Sequence, residues 1–296
     1  MPRPRPLASE QLGRAFSVAE ALRCGVPASR LRRGDLISPF RGVRLAIADD
    51  GWQPRCAAYA TRMPATVVFS HVTAARLWLM PLPQHHREDE RMHVTAVAAR
   101  APRGRGVVGH TTTRNPPTET IGALRATSPA RTWADLSTVL TVDELVIIGD
   151  ALVGLPVSIS TCSELAQAVH EHAGRRGSAA LHEAMPLIRV GSRSPRESRA
   201  RLAIVRAGLP EPEVNGEIVL PRRIVHGDLV FRSWRVVVEY EGDQHRTDAW
   251  QWAHDLERYN DLAEAGWLLI RASRFLPDAD LASRARRALR VRGWTG

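Results

Sequence analysis

The feature that most constrains this chain is an apolar, β-branched run that ends in acids: Val236-Val237-Val238-Glu239-Tyr240-Glu241, closed by Gly242. Such a run reads as a buried strand. A second run, Ile224 to Phe231, is mostly apolar around Gly227-Asp228, and Arg232-Ser233 lies between the two. The pair reads as a β-hairpin with a short loop. Alternation puts Glu239 and Glu241 on one face with Val237. A loop of two or four residues brings Asp228 to the same side, opposite Val237 or Glu239. Acids in a buried strand layer are costly unless a partner offsets their charge. Solvated acids on an exposed edge hairpin are the plain alternative.

The flanking residues extend the pattern. Ser194-Pro195-Arg196-Glu197 opens a helix running to about Ala207, with Gly208 as its stop. Glu197 has two readings: the reciprocal cap of its own helix, as Ser-x-x-Glu spacing suggests, or a further acid of the cluster. Both roles can hold together. After the hairpin, a helix is expected from about Ala249 to Ala265, closed by Gly266, then a buried strand over Trp267 to Arg271 and an Arg-rich helix over Leu281 to Arg292. The order helix, strand, strand, helix, strand, helix is that of a small α/β layer fold. Hard cations such as Mg2+ use one or two carboxylates and keep waters for a substrate phosphate. Such an ion activates a water and stabilises charge on phosphate oxygens. The expected chemistry is metal-dependent phosphodiester hydrolysis, with Mg2+ or Mn2+ as cofactor. His245 falls just past the strand, where it can position water or phosphate.

Residues from about 191 to 296 resemble the very-short-patch-repair-like branch of the PD-(D/E)XK nuclease superfamily. The resemblance rests on Ser-Pro-x-Glu at 194–197, Gly-Asp at 227–228 and Glu-Tyr-Glu-Gly-x-x-His at 239–245, completed by Asp255, Arg258 and Gly-Trp-Leu-Leu-Ile-Arg at 266–271. It implies a restriction-endonuclease-like α/β domain in which Asp228 and Glu239 are metal ligands and Glu197 is the helix acid. Glu241 stands where the superfamily lysine usually falls. The chain contains no lysine, so all 41 of its Lys-plus-Arg residues are arginine. Some superfamily members carry an acid at that position, which leaves Glu241 or His245 as the general base. The mismatch-repair nucleases of this branch carry a structural zinc site. Here Cys24, Cys56 and Cys162 all precede the region, so no Cys-based zinc site can form within it. The expectation therefore stops at nuclease chemistry.

The formal net charge of +10 suits a nucleic-acid partner, because arginine pairs bidentately with phosphate and reads guanine edges. A genome-wide bias toward arginine is the other source of such a charge. The first fifty residues read as a DNA-binding unit. Ser17-Val18-Ala19-Glu20 is a capping box, its helix stops at Gly25, and a second short helix over Ala28 to Arg33 ends at Gly34. Asp35-Leu36-Ile37 and Gly42-Val43-Arg44-Leu45 then form a wing tipped by Pro39-Phe40-Arg41. This is winged helix-turn-helix logic, with Arg30, Arg32, Arg33 and Arg41 as DNA contacts. A helical hairpin with solvated arginines is the bland alternative. Arg284 and Arg287 in the last helix are a second set of phosphate contacts.

Residues 25–34 and 41–43 resemble the N-terminal domain of abortive-infection type IV antitoxins. Ser70 to Leu77, Met92 to Thr95 and Thr127 to Thr132 continue the resemblance through the middle region. Antitoxins of this kind repress their own operon, so the resemblance also implies a regulator, with a cognate toxin or a second copy of the chain as partner. The middle region shows no convincing active site. His71 reads as a hydrogen-bonded cap or core histidine, and His85-His86 lacks a third metal ligand.

The chain is therefore expected to be an α/β multidomain protein: a winged helix-turn-helix over 1–50, a mixed α/β middle with a helical connector over 51–190, and a nuclease-like domain over 191–296. The expected function is a metal-dependent DNA endonuclease targeted by its winged helix. The alternative is a DNA-binding antitoxin-type regulator with an inactive nuclease fold. No run of eighteen apolar residues is present, and Met1 to Pro6 lacks the apolar core of a secretory signal. Three widely spaced cysteines fit free thiols in a reducing cytoplasm.

Overall fold

The computed structural model describes residues 15–46, 51–221, 223–241, 249–273 and 275–296, with backbone alone for Glu241 and 249–255. The described chain is mixed α/β, with three sheets. It parts into two compact units, Met1–Thr138 and Val139–Gly296. The boundaries expected near 50 and 190 fall inside these units.

The first unit begins with β1 (Ala15–Ser17), α1 (Val18–Arg23), a 3-10 turn (Arg30–Arg32), β2 (Leu36–Ile37) and β3 (Val43–Ala46). The strands form a small antiparallel sheet in the order β1-β3-β2. Ser17 caps α1, accepting the Glu20 N–H, without the return bond from the Glu20 side chain that the expected capping box requires. The second helix expected over Ala28 to Arg33 is only a 3-10 turn. Pro27 and Gly34 leave too few residues between them to offset helix nucleation. Arg44 fixes the turn instead, donating to the Leu31 carbonyl at 2.7 Å. Phe40, read as part of an exposed wing tip, is buried and packs edge-on against Tyr59.

The unit continues through α2 (Trp52–Ala60), β4 (Val67–Phe69), α3 (His71–Leu77), α4 (Gln84–Arg87), β5 (Met92–Val97), β6 (Val107–Thr112), β7 (Thr118–Ile121), β8 (Leu124–Thr127) and α5 (Pro129–Leu136). Its five strands run in the order β6-β5-β4-β8-β7, with β5–β6 and β4–β8 parallel and the other pairs antiparallel. Phe40 and Val43 share one core with Tyr59, Phe69, Met92 and Ala126. The small sheet and the larger one are thus one packing unit, joined by α2.

The second unit opens with α6 (Val142–Val153), α7 (Cys162–Glu171), α8 (Ser178–Ala184) and α9 (Pro195–Arg206). Thr141 with Glu144, and Thr161 with Glu164, form reciprocal capping boxes on α6 and α7. The buried Arg201 of α9 ties to the buried Asp150 of α6 at 3.0 Å. A four-stranded sheet follows: β9 (Glu213–Val219), β10 (Ile224–Phe231) and β11 (Val236–Glu241) form an antiparallel meander. Helix α10 (Ala249–Glu264) crosses over to β12 (Leu268–Ser273), which runs parallel to β11, and α11 (Asp278–Val291) ends the fold.

The sheet buries both faces. Leu229, Phe231, Val236, Val238 and Ile270 pack with residues of α9 and α11. Val225, Val230, Val237 and Ile218 pack with Leu262 of α10. Val225 and Leu229 share a parity yet face opposite cores, so β10 breaks its alternation between them. The break falls at Asp228, which with Asn215 opposite drops out of the β9–β10 ladder; Asn215 has φ +49°. The β10–β11 loop is residues 232–235, a 3-10 turn closed by Arg235 in the left-handed region. That four-residue loop sets Phe231 opposite Val236, which by register places Asp228 opposite Glu239.

Candidate active site

Three acids predicted for the site come from three pieces of this fold: Glu197 from the first turn of α9, Asp228 from the break in β10, and Glu239 from β11. Asp228 Oδ2 accepts the Tyr240 N–H at 2.7 Å, taking the place of a ladder bond across the break. Among the described residues no donor reaches its second oxygen. The expected reciprocal box does not close: the Glu197 carboxylate accepts the Arg193 N–H at 2.9 Å and the Ser194 hydroxyl at 2.8 Å rather than the Ser194 N–H. Its own N–H donates to Ser194 Oγ at 3.2 Å. The Glu197 side chain is nonetheless buried. Burial pushes its carboxyl above the usual range, against the Arg193 N–H, and the Asp228 charge pushes it further up. Burial also raises Asp228, against the Tyr240 N–H and the charges of Arg258 and Arg193. Glu197 thus bonds the chain at the start of its own helix while feeling the charge of Asp228.

Glu239 is only 5% exposed. Arg258, on the second turn-pair of α10, meets it with both guanidinium nitrogens, at 3.0 and 3.1 Å. A fork-to-fork pair of this kind is the strong form of a charged hydrogen bond. Burial, the largest single influence, lowers the Arg258 pKa, and the Glu239 charge and hydrogen bonds together with Tyr259 outweigh it and leave it raised. Gly227 makes this arrangement possible. A Cβ there would lie 2.4 Å from Val237 Cγ2 and 3.6 Å from Glu239 Oε1. The sequence pattern contained Arg258 but did not reveal its partner, because the contact joins an α10 residue to a strand nineteen positions earlier.

Glu241 pairs with Ser273 in the β11–β12 register; its side chain and all of His245 lie outside the described residues. Among the described residues no group of three or more His, Cys, Asp or Glu side chains is arranged to hold a metal ion. Asp228 fits a hard cation through its second oxygen. The Arg258 fork occupies two of the about four lone-pair positions that the Glu239 carboxylate offers.

Of the arginines predicted to touch DNA, Arg32, Arg33, Arg41, Arg284 and Arg287 are exposed. Arg30 is committed to Asp35 by two bonds, at 2.9 and 2.7 Å. Arg286, beside them in sequence, serves the fold by donating to the Ala207 carbonyl.

The first unit holds a histidine cluster that sequence reasoning missed. His71, read alone as a cap or core residue, stacks on His110 with ring centroids 3.6 Å apart. His93 Nδ1 lies 3.2 Å from His110 Nε2. The paired registers of β5 and β6 and the start of α3 bring the three rings together; only those long-range pairings could have signalled it. His93 Nε2 points at Asp89 Oδ2, 3.6 Å away, and the Arg91 guanidinium holds Asp89 down to about 2. Burial, then His110, pushes His93 down to about 4, against the pull of Asp89. The unfolded chain protonates this ring below about 6.5, and the folded one not until about 4. Stability from this source is therefore complete above pH 6.5 and is lost as pH falls toward 4, by up to about 3 kcal/mol. Urea midpoints measured from pH 7.5 to 4.5 are expected to fall for the wild type and to flatten for His93→Gln. Parallel curves would show that His93 does not carry the dependence.

At the level of fold the chain is a mixed α/β protein, and no described helix is long and apolar enough to cross a membrane. Two curated relatives are the uncharacterized proteins MT2308 and Rv2248 of Mycobacterium tuberculosis, from strains CDC 1551 / Oshkosh and ATCC 25618 / H37Rv. Each is 32% identical over 116 residues, a stretch that spans 36% of this chain and 40% of the relative. No family model and no solved structure matches the chain.

Proposed function

We propose that the chain is a metal-dependent DNA endonuclease whose C-terminal unit carries the acid centre and whose first residues contact DNA. One observation carries this reading. Glu197, Asp228 and Glu239 come from three separate elements; burial raises the proton affinity of the first two, the Asp228 charge raises that of Glu197 further, and Glu239 lies opposite Asp228 by register. Folding tolerates such a gathering of acids at a cost that a divalent cation relieves.

Asp228 and Glu239 would hold Mg2+ or Mn2+, with Glu241 beside them on β11. The bound ion supplies water activation and charge neutralisation at the phosphate. The chain's own residues do the rest. Arg258 fixes Glu239 and brings positive charge into a site whose sequence contains no lysine. Glu197, raised in pKa, is suited to hold a proton near its cap. In the first unit the sheet order β1-β3-β2 around α1, with Arg32, Arg33 and Arg41 exposed, supports a winged DNA-binding element. The short 3-10 turn points to phosphate contact there rather than to a full helix in the major groove.

A second reading, a DNA-binding regulator of the antitoxin type with an inert nuclease fold, is favoured by one observation: Arg258 engages both oxygens of Glu239. The two readings part in a plasmid assay. Nicking of supercoiled DNA that requires Mg2+ or Mn2+ and stops with a chelator is the expected result. DNA retention that weakens with salt, without cleavage under any divalent metal, would favour the regulator.

A further inference from the structure

Among the described residues, the edge of the second unit's sheet carries a groove that the acid centre does not use and that is lined by the two α11 arginines expected to contact phosphate. β12 ends the strand order, with β11 on its one paired side. Between that edge and α11 lie two adjoining hollows of about 470 and 360 Å3. Arg271 and Arg284 line both, and Arg287 lines the second. Among the described residues no carboxylate lines either. Phe275, at the mouth of the first, is 74% exposed.

The register sets this groove beside the acid centre. Glu239 pairs with Arg271, and Glu241 with Ser273, which lines the first hollow. Arg196, the neighbour of Glu197, donates to the Ser273 carbonyl at 3.1 Å. The groove therefore begins one strand away from the predicted metal ligands.

We propose that this groove is a track for a single-stranded stretch of nucleic acid running to the acid centre. Arg271, Arg284 and Arg287 hold its phosphates, and Phe275 stacks on a base. Basic grooves with an exposed aromatic ring bind single strands in this way. Hollows of a few hundred cubic ångströms suit a nucleotide or two rather than the full width of a duplex. A second copy of the chain is a poor occupant, because a two-fold pairing of this edge would set the same three arginines against themselves. The chemistry at the end of the track rests on the nuclease reading; the binding does not.

The test is fluorescence anisotropy of a labelled single-stranded oligothymidine with the full chain, without divalent metal, over a range of salt. Phe275→Ala is expected to weaken binding about tenfold with the salt slope unchanged. The double variant Arg284→Gln/Arg287→Gln is expected to weaken it similarly and to lower the slope by about 1.4, or about 0.7 for each phosphate contact. Crosslinks from a 5-iodouracil oligonucleotide are expected within residues 271–287. Wild-type binding by both variants, or crosslinks confined to residues before 139, overturns the track even if the protein cleaves DNA. So does a change of oligomeric state in place of a change in DNA binding. Binding that responds as expected in a protein that never cleaves leaves the track standing and removes the nuclease.

Discussion

Asp228→Asn is expected to lower metal-dependent DNA cleavage by about a thousandfold while leaving the fold and DNA binding intact. The size follows from the several kcal/mol of charge stabilisation that a bound cation contributes, at tenfold for each 1.36 kcal/mol. The specificity of the effect follows from the geometry. The amide oxygen of asparagine can still accept the Tyr240 N–H, so the bridge across the β10 break survives. The charge that the second oxygen offers a cation is gone. Burial raises the Asp228 pKa in the folded state, so its charge opposes folding at neutral pH. Removing that charge is expected to leave the urea midpoint unchanged or slightly higher. A variant that loses cleavage and stability together would point to a structural role instead.

The largest effect on stability is expected from Arg201, far from any proposed chemistry. This side chain is 1% exposed and meets Asp150, 0% exposed, at 3.0 Å. It also donates to the Leu187 carbonyl and to Glu211. Burial pushes the Asp150 pKa up, and Arg201 and the Arg189 N–H hold it back. Arg201→Met removes the guanidinium that meets the buried Asp150 and is expected to cost about 3–5 kcal/mol, read as a drop in urea midpoint. The double variant Asp150→Asn/Arg201→Met is expected to recover much of that loss, because the partner charge no longer stands alone. The network is itself incomplete: Arg201 Nε is buried without a hydrogen bond among the described residues. An uncharged replacement of both partners therefore has less to lose. Equal destabilisation of single and double variants would mean that packing of the arginine stem, not its charge, holds α9 to α6.

Local signals carried much of the second unit. Ser194 and Gly208 bracket α9, Gly266 ends the chain segment after α10, and the valine run marks β11. Helix caps and buried runs are short-range facts, so a sequence displays them directly. Strand β9 was absent from the expected order. Its residues, Glu213-Val-Asn-Gly-Glu-Ile-Val219, interrupt alternation with Asn215-Gly216, and the structure places Asn215 at φ +49° opposite the Asp228 break. A residue pair that ordinarily signals a turn here sits inside a strand. The wing-like hairpin after Gly34 was legible for the same local reason, whereas the second short helix, read from Arg30, Arg32, Arg33 and Gly34, is only a 3-10 turn.

The candidate site was half legible. The acids were visible because carboxylates are out of place in buried runs. Their partners were not: the Arg258–Glu239 pair and the Tyr240 N–H bridge depend on tertiary placement. The histidine cluster shows the same limit, since His71, His93 and His110 lie on three elements and each alone is unremarkable.

The most direct measurement is a calorimetric titration of Mn2+ into the wild type and Asp228→Asn, with no DNA present. The acid centre as read here predicts saturable binding in the wild type that is lost or weakened at least tenfold in the variant. Superimposable isotherms, or no heat from either protein, would contradict a metal site built on Asp228.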